Sequence, residues 1–405
     1  MPSLQINFGR HVAWTSNFPL GLQVDRAEGP FIYLDDGRRL IDFISGIAVS
    51  SLGHRHPDVV QAVKDQVDRY MHVMVYGEMI QAPQVDLAAL IAEMLPPPLS
   101  VVYFTMSGTE ANEGALKLAK KHTGRSRMVA FERSYHGDTQ GSLSVTGRQV
   151  YRDPYLPLLP NVDFIPFDDV DALDAINEHT ACVITEPIQG EGGVNVPSPA
   201  WAKRLRERCT ETGALLIFDE IQTGFGRTGT LFRFQGMGIE PDIITMAKAM
   251  GGGMPLGAFV SSPEIFGSFR DHPPLSHVTT FGGHPVSCAA ALAALRVLIR
   301  ENLPERATEI GRIIRSRLQH PLIREVRGEG ALLGLELANR GVTEFTVNRC
   351  LEEGVLLGWT LHSNTLIRIA PPLNIDFEVL SETLAIIVRI LDEAASGRKE
   401  RFGKR

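Results

Sequence analysis

The segments ALLIFDE (residues 214–220) and IITMAK (residues 243–248) are apolar runs that end on charged side chains. Asp219 closes the first run, Lys248 closes the second, and three glycines follow at 251–253. Short, continuously apolar runs are typical of strands that are buried on both faces of a sheet. A charge at the end of such a strand is costly unless it has a partner. We therefore expect a partner for each charge, and that partner need not be protein.

Length and composition indicate an ordinary globular protein. Of its 405 residues, 44% are hydrophobic and 21% are charged, and 40 basic and 47 acidic residues give a net charge of −7. A chain of this length can form two or more domains. The acidic balance argues against a nucleic-acid partner, although it leaves a local basic patch open. No apolar run reaches the length of about 18 residues that a membrane-spanning helix needs, so we expect no membrane segment.

The cysteines and the first residues predict a cytoplasmic location. Residues 1–5 (MPSLQ) do not begin the basic and apolar segments of a secretory signal. The cysteines form no CxxC pair and are scattered along the chain at Cys182, Cys209, Cys288 and Cys350. Such spacing is typical of reduced, mostly buried thiols in a cytosolic protein.

The middle of the chain predicts an α/β fold. Apolar runs that read as strands alternate with segments of helical periodicity. The predicted strands are 101–105, 128–131, 181–185, 214–218 and 241–247, and the predicted helices are 110–122, 170–178, 199–212 and 285–301. This alternation favours a mostly parallel sheet with helices on both faces.

The two ends of the chain have a different pattern. Residues 31–43 predict a hairpin with an Asp-Gly turn at Asp36 and Gly37. After residue 300, helices at 305–318, 343–353 and 377–395 and strands at 331–337 and 366–369 predict a smaller α+β unit. We therefore expect an N-terminal segment (1–50) that packs with the small domain, a large domain (51–300) and a small C-terminal domain (301–405).

Ser107-Gly108-Thr109-Glu110 follows the first predicted strand of the large domain. Ser107 with Glu110 three residues later matches a capping box at the start of a helix. Free N–H groups at such a helix start suit a phosphate, and Gly108 lets the backbone approach it closely. An ordinary capped helix explains the same residues, so both interpretations stay open for this motif alone.

Further polar motifs follow other predicted strands. Tyr135 could stack on a planar cofactor or pack within its loop, and residues 186–193 (EPIQGEGG) gather two carboxylates and an amide. Ligands of open α/β sheets bind at the carboxyl ends of strands. Residues 224–229 match GxGxxG but open no helix, which excludes a dinucleotide site in practice. His54 and His56 lack partnering ligands nearby, so we expect structural histidines and no metal.

Taken together, these motifs point to one ligand. A phosphorylated heteroaromatic ring needs a helix N-terminus, a stacking aromatic side chain, an acid at the ring nitrogen and a lysine for a Schiff base. Pyridoxal 5′-phosphate has this chemistry. Asp219 would lie at its pyridine nitrogen. Lys248 would bind its aldehyde, and desolvation would favour the neutral amine that this chemistry requires.

With these motifs in this order, the chain resembles the class III (ω-amino acid) aminotransferases of the fold-type I pyridoxal-phosphate superfamily, including the acetylornithine, ornithine and 4-aminobutyrate enzymes. The resemblance covers nearly the whole chain. It depends on SGTEA (107–111), YHG (135–137), EPIQGEGG (186–193), DEIQTGFGRTG (219–229), Lys248, TTFGG (279–283) and RIAPPL (368–373). It implies a seven-stranded-type sheet, a homodimer with shared active sites and a ping-pong reaction.

The resemblance also implies individual roles. Lys248 is the Schiff-base lysine and proton shuttle. The implied cofactor contacts are Asp219 at the pyridine nitrogen, Ile221 and Tyr135 on opposite ring faces, Gln222 at the ring hydroxyl, Gly108 and Thr109 at the phosphate, and Thr280 at the phosphate of the partner subunit. The implied substrate contacts are Arg368, which binds the carboxylate of the amino acceptor, Glu191, which pairs with that arginine, and Ile47, an aliphatic pocket residue.

One position departs from the pattern of the acetylornithine, ornithine and 4-aminobutyrate enzymes. Acetylornithine, ornithine and 4-aminobutyrate enzymes typically have an arginine after the His-Gly, where this chain has Asp138. An acid repels a distal carboxylate and suits an amine or a neutral pocket, unless Arg148 or Arg152 substitutes. We expect transfer from an ω-amino acid or related primary amine to 2-oxoglutarate. The alternatives are an amine or diamine donor, or the aminomutase, epimerase and decarboxylase reactions of the same family. A second departure is His284, where relatives commonly have asparagine.

Overall fold

A computed structural model describes residues 3–359 and 363–397 of the chain. The α-helices are α1 (Leu4–His11), α2 (Ser45–Ala48), α3 (Pro57–Arg69), α4 (Ala82–Glu93), α5 (Gly108–Thr123), α6 (Gln140–Ser144), α7 (Gln149–Arg152), α8 (Pro199–Thr212), α9 (Arg233–Met237), α10 (Pro263–Gly267), α11 (Pro285–Arg300), α12 (Leu303–Arg317), α13 (Arg340–Glu352) and α14 (Phe377–Ala395). Short 3₁₀ turns lie at Asp153–Tyr155, Asp171–Ala175 and Lys248–Gly251.

The β-strands form three sheets. They are β1 (Val24–Glu28), β2 (Phe31–Leu34), β3 (Arg39–Asp42), β4 (Val101–Thr105), β5 (Arg127–Phe131), β6 (Val162–Ile165), β7 (Thr180–Thr185), β8 (Leu215–Asp219), β9 (Ile243–Met246), β10 (Gly257–Ser261), β11 (Ile323–Glu329), β12 (Leu332–Leu337), β13 (Val355–Leu356), β14 (Gly358–Trp359) and β15 (Leu366–Ile369). The seven-stranded sheet has the order β4-β10-β9-β8-β7-β5-β6.

The central sheet is parallel except for β10, which pairs antiparallel with both β4 and β9. Apolar clusters cover its two faces, because alternate side chains of a strand point to opposite sides. On β8, Leu216 and Phe218 enter one cluster while Ile217 enters the other. The α/β fold with a mostly parallel sheet, predicted from the continuous apolar runs, is therefore confirmed, and it agrees with fold type I.

The reversed strand β10 returns directly from the turn that follows Lys248. Its first residue, Gly257, leaves no room for a side chain, since a Cβ there would lie 2.4 Å from the carbonyl oxygen of Ser107. This close approach places the start of β10 against the residue that caps α5. The lysine turn and the start of α5 therefore lie side by side.

Two smaller sheets flank the central one. The first has the order β1-β2-β3-β13, in which β13 pairs parallel with β3 through Val355 and Ile41. The second has the order β11-β12-β15-β14. The first sheet thus joins residues from the two ends of the chain. The division into segments 1–50, 51–300 and 301–405 stays a prediction, and residues 398–405 lie outside the described part.

Several local predictions were incomplete. The hairpin at 31–43 is present as β2 and β3. The helix expected around 170–178 is wrong, because only a 3₁₀ turn at Asp171–Ala175 forms there. Helix α1 and the strands β1, β6, β10 and β11 were not predicted from the sequence pattern. None of the helices in the described part of the chain combines the length and apolar character that crossing a bilayer requires.

The packing of α5 on β10 can be tested at Gly114. A Cβ at this helical glycine would lie 2.3 Å from the ring of Phe259, so a larger side chain must push helix and strand apart. Gly114→Val should lower the free energy of unfolding by about 2 kcal/mol or more, as overpacking does. Urea unfolding followed by circular dichroism measures the change.

Gly267→Val is the matched control, because nothing lies within 4 Å of a Cβ at that glycine. Its free energy of unfolding should change by about 0.5 kcal/mol or less. Adding Phe259→Leu to Gly114→Val should restore part of the loss. Equal unfolding midpoints for the two single variants would contradict the proposed packing.

Candidate active site

A cavity of about 660 Å³ opens at the carboxyl ends of β7, β8 and β9. Because these strands are adjacent and parallel, the residues that follow them meet at one edge of the sheet. Asp219 ends β8, Glu186 follows β7, and Lys248 lies just after β9. The cavity lining includes Ser107, Gly108, Thr109, Tyr135, His136, Asp138, Glu186, Glu191, Asp219, Ile221, Gln222 and Lys248.

The Asp219 carboxylate is held by donors from three elements. It is 4% exposed and its Oδ2 accepts hydrogen bonds from His136 Nδ1 at 2.7 Å and from Asn112 Nδ2 at 2.9 Å. Its Oδ1 accepts from the backbone N–H of Ile221 at 3.1 Å. Thr245 on β9 donates to Asn112 Oδ1 at 2.7 Å and fixes the amide orientation. Such donors stabilise a negative charge that burial alone would disfavour.

The Lys248 amine lies in an environment that favours its neutral form. Burial lowers the pKa of the amine, Glu191 and Asp219 oppose this change, and the charge of Arg368 adds to it. The backbone of Lys248 is left-handed, with φ of 47°. This conformation costs a non-glycine residue on the order of 1–3 kcal/mol, and such strain concentrates at functional sites.

The start of α5 forms one end of the cavity. The hydroxyl of Ser107 accepts from the N–H of Glu110 at 3.3 Å, which confirms the predicted cap. The Glu110 carboxylate accepts from the N–H of Met106 at 2.7 Å, one residue earlier than a regular capping box requires. Thr109 and Thr139 share a hydroxyl hydrogen bond of 2.7 Å beside this cap. The cup between them depends on Gly137, since a Cβ there would lie 2.4 Å from Thr109 Oγ1.

Glu186 is a buried carboxylate on the cavity wall. It is 6% exposed and accepts hydrogen bonds from the backbone N–H groups of Tyr135 at 3.1 Å and Gly190 at 2.9 Å. Burial raises the pKa of Glu186 to about 7; the charge of Asp219 also raises it, whereas His136 and the two backbone donors lower it. Glu186 therefore ties the loop of Tyr135 to the loop that carries Glu191.

Tyr135 and Asp138 form a hydrogen bond at the cavity wall. The phenol donates to Asp138 Oδ2 at 2.8 Å. Burial raises the pKa of Tyr135, and the hydrogen bond and charge of Asp138 raise it further. The phenol therefore stays protonated at neutral pH and keeps donating to the acid.

Glu191 and Arg368 form a buried ion pair between the cavity and β15. Their side chains are 7% and 4% exposed, and Arg368 Nη1 donates to Glu191 Oε1. Gln222 Nε2 also donates to Glu191 Oε1, at 3.3 Å. The pair connects residues far apart in sequence, from the loop after β7 and from the C-terminal part of the chain.

Three residues predicted for the site do not line the cavity of the single chain: Ile47, Thr280 and Arg368, of which Arg368 contacts the lining residue Glu191. The side chain of Ile47 is 48% exposed, and Val49 lines the cavity in its vicinity. Thr280 is exposed as well. Their proposed contacts with substrate and with the partner subunit therefore stay predictions.

Sequence reasoning assigned no role to Asn112, His136, Thr245 or Glu186. His136 and Glu186 lie within motifs that the sequence singles out, so their positions after strands were a usable signal. Asn112 and Thr245 gave no such signal, because each is a buried polar residue on an otherwise apolar face. Among residues 3–359 and 363–397, no three histidine, cysteine or acidic side chains are grouped as metal ligands would be.

Comparisons with known proteins agree with this geometry. A family model described as Aminotransferase class-III matches residues 13–391. Acetylornithine aminotransferases of Methanopyrus kandleri and Methanosarcina mazei are 42% and 43% identical over 380 residues, which cover 93% and 92% of this chain and 95% and 91% of those proteins.

Solved structures show the same relationship. An ornithine aminotransferase of Toxoplasma gondii is 29% identical, with a TM-score of 0.90 over 98% of this chain and 97% of that one. A Bacillus anthracis aminotransferase is 28% identical, with a TM-score of 0.91 over 96% and 98%. The fold is thus that of the pyridoxal-phosphate-dependent transaminases. The chain belongs to the class-III aminotransferase family.

The raised pKa of Glu186 predicts a pH-dependent stability. The folded protein binds more protons than the unfolded chain between the ordinary glutamate pKa of 4.5 and about 7. The stabilisation is present below the lower value and is lost as the pH rises through the upper one. Glu186→Gln should reduce the stability lost between about pH 5 and pH 8 by roughly 2–3 kcal/mol. Urea unfolding across this pH range measures it.

Glu220→Gln is the control, since burial also raises the pKa of Glu220 to about 7 away from the cavity wall. Each single variant should remove its own part of the stability lost between about pH 5 and pH 8, and the double variant should remove both parts. An unchanged slope of stability against pH in Glu186→Gln would contradict the shifted pKa.

Proposed function

We propose that the chain transfers an amino group from an ω-amino acid or a related primary amine to 2-oxoglutarate, in two half-reactions at one pyridoxal-phosphate site. The observation that carries the proposal is the position of Asp219 and Lys248 at the ends of adjacent strands, facing one cavity. The acetylornithine aminotransferases among its relatives support an ω-amino donor.

The residues of the cavity fit pyridoxal phosphate. Gln222 Oε1 and His136 Nε2 are buried and have no hydrogen-bond partner within the described part of the chain. The start of α5 and the cup beside Gly137 would hold the phosphate, and Asp219 would pair with the pyridine nitrogen. Gln222 would contact the ring hydroxyl, which gives its orphaned oxygen a partner. When bound, the cofactor supplies an electron sink for the electron pair released when the donor loses a proton.

The chain's own groups supply the remaining steps. Lys248, as a neutral amine, would take the proton from the donor carbon that bears the amino group and deliver it to the carbon that the cofactor's aldehyde supplies, a role that its lowered pKa supports. Arg368 would bind the substrate carboxylate through a charge-assisted, bidentate contact. Glu191 would neutralise the arginine while a donor without that carboxylate occupies the site, which the observed ion pair supports.

A homodimer is supported by the surface near Thr280. Large apolar side chains are exposed at Met71 (62%), Ile80 (94%) and Phe281 (45%). The ring of Phe281 lies 5.0 Å from that of His72, so segments 71–80 and 275–281 adjoin. Exposed apolar surface of this kind is typical of an interface. We propose that Thr280 of one subunit completes the phosphate site of the other.

A cytoplasmic location stays part of the proposal. All four cysteines are buried as free thiols, as expected in a reducing compartment.

A second candidate is an amine or diamine donor, which Asp138 favours. Its carboxylate lies on the cavity wall, where it would repel a distal carboxylate. Arg152 does not replace the missing arginine in this geometry, since its guanidinium lies over the ring of Phe164 at 3.8 Å. Asp138 would instead attract a second ammonium group on the donor.

Single-turnover reduction of the bound cofactor tests the donor class. Acetylornithine, ornithine, 4-aminobutyrate, lysine and diamines are each mixed with the holoenzyme, and the loss of the cofactor's visible absorbance is followed. At least one of these ω-amino compounds should convert it, and Lys248→Ala should block conversion. Conversion by none would overturn the proposal. Isomerised donor or released carbon dioxide without any oxo acid would indicate the other reactions of the family.

The charge at position 138 makes a separate prediction. Asp138→Arg should raise kcat/KM for donors with a distal carboxylate by about tenfold or more, since one charged contact contributes about 1.5–3 kcal/mol. It should lower kcat/KM for diamines. Asp138→Asn, which removes charge without reversing it, is the control and should give intermediate values. If the ratio of kcat/KM for carboxylate-bearing donors to kcat/KM for diamines is the same in all variants, Asp138 has no role in donor selection.

A further inference from the structure

Arg227 is a buried cation whose position the reaction does not explain. It lies in the loop that follows Asp219–Gln222 and is 1% exposed. Within the described part of the chain, no carboxylate lies within ion-pair distance of its guanidinium. Burial lowers the pKa of Arg227 to about 9. A buried charge without an ionic partner is costly. The hydrogen bonds of the Arg227 guanidinium therefore indicate what this residue does.

The guanidinium of Arg227 binds the end of the two strands that hold Arg368. Its Nη1 donates to the carbonyl oxygens of Pro371 and, at 3.4 Å, Ala331. The register of β12 and β15 pairs Leu333 with Ile369 and Gly334 with Arg368. Ala331 and Pro371 lie just beyond the paired residues, at the end of the two strands that is next to this Leu333–Ile369 pair. Nη1 of Arg227 therefore bridges the two backbone segments at the end of the β12–β15 pair that lies nearest to Arg368.

Two further contacts fix this clamp. The backbone carbonyl of Arg227 accepts from the N–H of Ala331 at 2.9 Å, so the two backbones are joined directly. Its Nη2 donates to Ser51 Oγ at 2.8 Å. The carbonyl of Ser51 in turn accepts from the N–H of Leu373 at 2.7 Å, two residues beyond Pro371.

The loop therefore joins the cavity to the carboxylate receptor over a short length of chain. At one end, Ile221 and Gln222 line the cavity, and Gln222 donates to Glu191. At the other end, Arg227 binds the backbone just after β15, the strand that contains Arg368. Arg368 forms its ion pair with the same Glu191. A displacement of this strand end would change the distance between Arg368 and a carboxylate bound in the cavity.

We propose that Arg227 is a positioning residue for Arg368 and thereby sets the affinity of the site for the substrate carboxylate. This inference rests on the proposed role of Arg368 as the carboxylate receptor. Lysine at position 227 keeps the charge but has one donor nitrogen in place of the fork, so it cannot hold the ladder end and Ser51 together.

The experiment compares variants of the holoenzyme by the affinity for glutarate, measured by isothermal titration calorimetry, and by KM and kcat for 2-oxoglutarate. Arg227→Lys should weaken glutarate binding and raise KM by about tenfold, with kcat changed less than about threefold, because small misplacements of a binding group are costly. Ser51→Ala removes one acceptor and keeps the arginine. It should weaken glutarate binding and raise KM by about threefold.

Arg233→Lys is the matched control. Arg233 is another buried arginine, and it pairs with Glu329 of β11 rather than with the strand of Arg368. Thermal unfolding should show a loss of stability for it, while its glutarate affinity and KM stay within about twofold of the wild type.

The outcomes separate the inference from the proposed function. If Arg227→Lys and Ser51→Ala lower the unfolding temperature but leave glutarate affinity and KM unchanged, Arg227 is only structural and the inference is wrong. If Arg368→Met leaves glutarate affinity unchanged, the proposed role of Arg368 is wrong instead. Should Arg227→Lys be insoluble, Ser51→Ala decides, since it removes only a hydroxyl.

Discussion

The carboxylate of Asp219 accepts hydrogen bonds from His136, Asn112 and the backbone of Ile221 in the interior of the protein. These donors come from a loop after β5, from the first turns of α5 and from the chain just beyond β8. A negative charge can be buried there only if all three elements arrive together. The same elements supply the residues proposed to hold the phosphate, the tyrosine proposed to stack on the ring, and Gln222 of the cavity. The position of one charge therefore fixes most of the site.

Burial also affects the other ionisable groups of the site. Desolvation favours the neutral forms of both Lys248 and Glu186. Glu191 and Arg368 form a buried ion pair with each other. The interior thus contains a carboxylate held by donors, a buried ion pair, and an acid and an amine that burial biases toward neutrality.

Sequence patterns predicted what depends on local order and missed what depends on distant pairing. The strands that end at Asp219 and near Lys248 were predicted, because a continuous apolar run closed by a charge has few other interpretations. β10 was missed, since GAFVS begins with a glycine and ends with a serine, and its pairing and direction are set by its neighbours rather than by its own residues. The pairing of β13 with β3 was equally invisible, because it joins positions from opposite ends of the chain. The contacts of Asn112 and Thr245 with the site also required the folded sheet.

The antiparallel direction of β10 has a consequence for how the protein can vary. Loops between secondary-structure elements usually tolerate insertions. The segment between Lys248 and Gly257 has less of that freedom, because Gly257 at its end lies against the carbonyl of Ser107. The length of this segment therefore limits the separation between the Lys248 amine and the proposed phosphate site at the start of α5. Length changes that accumulate elsewhere on the surface should therefore be absent from it, and substrate range must diverge through side chains around the cavity instead.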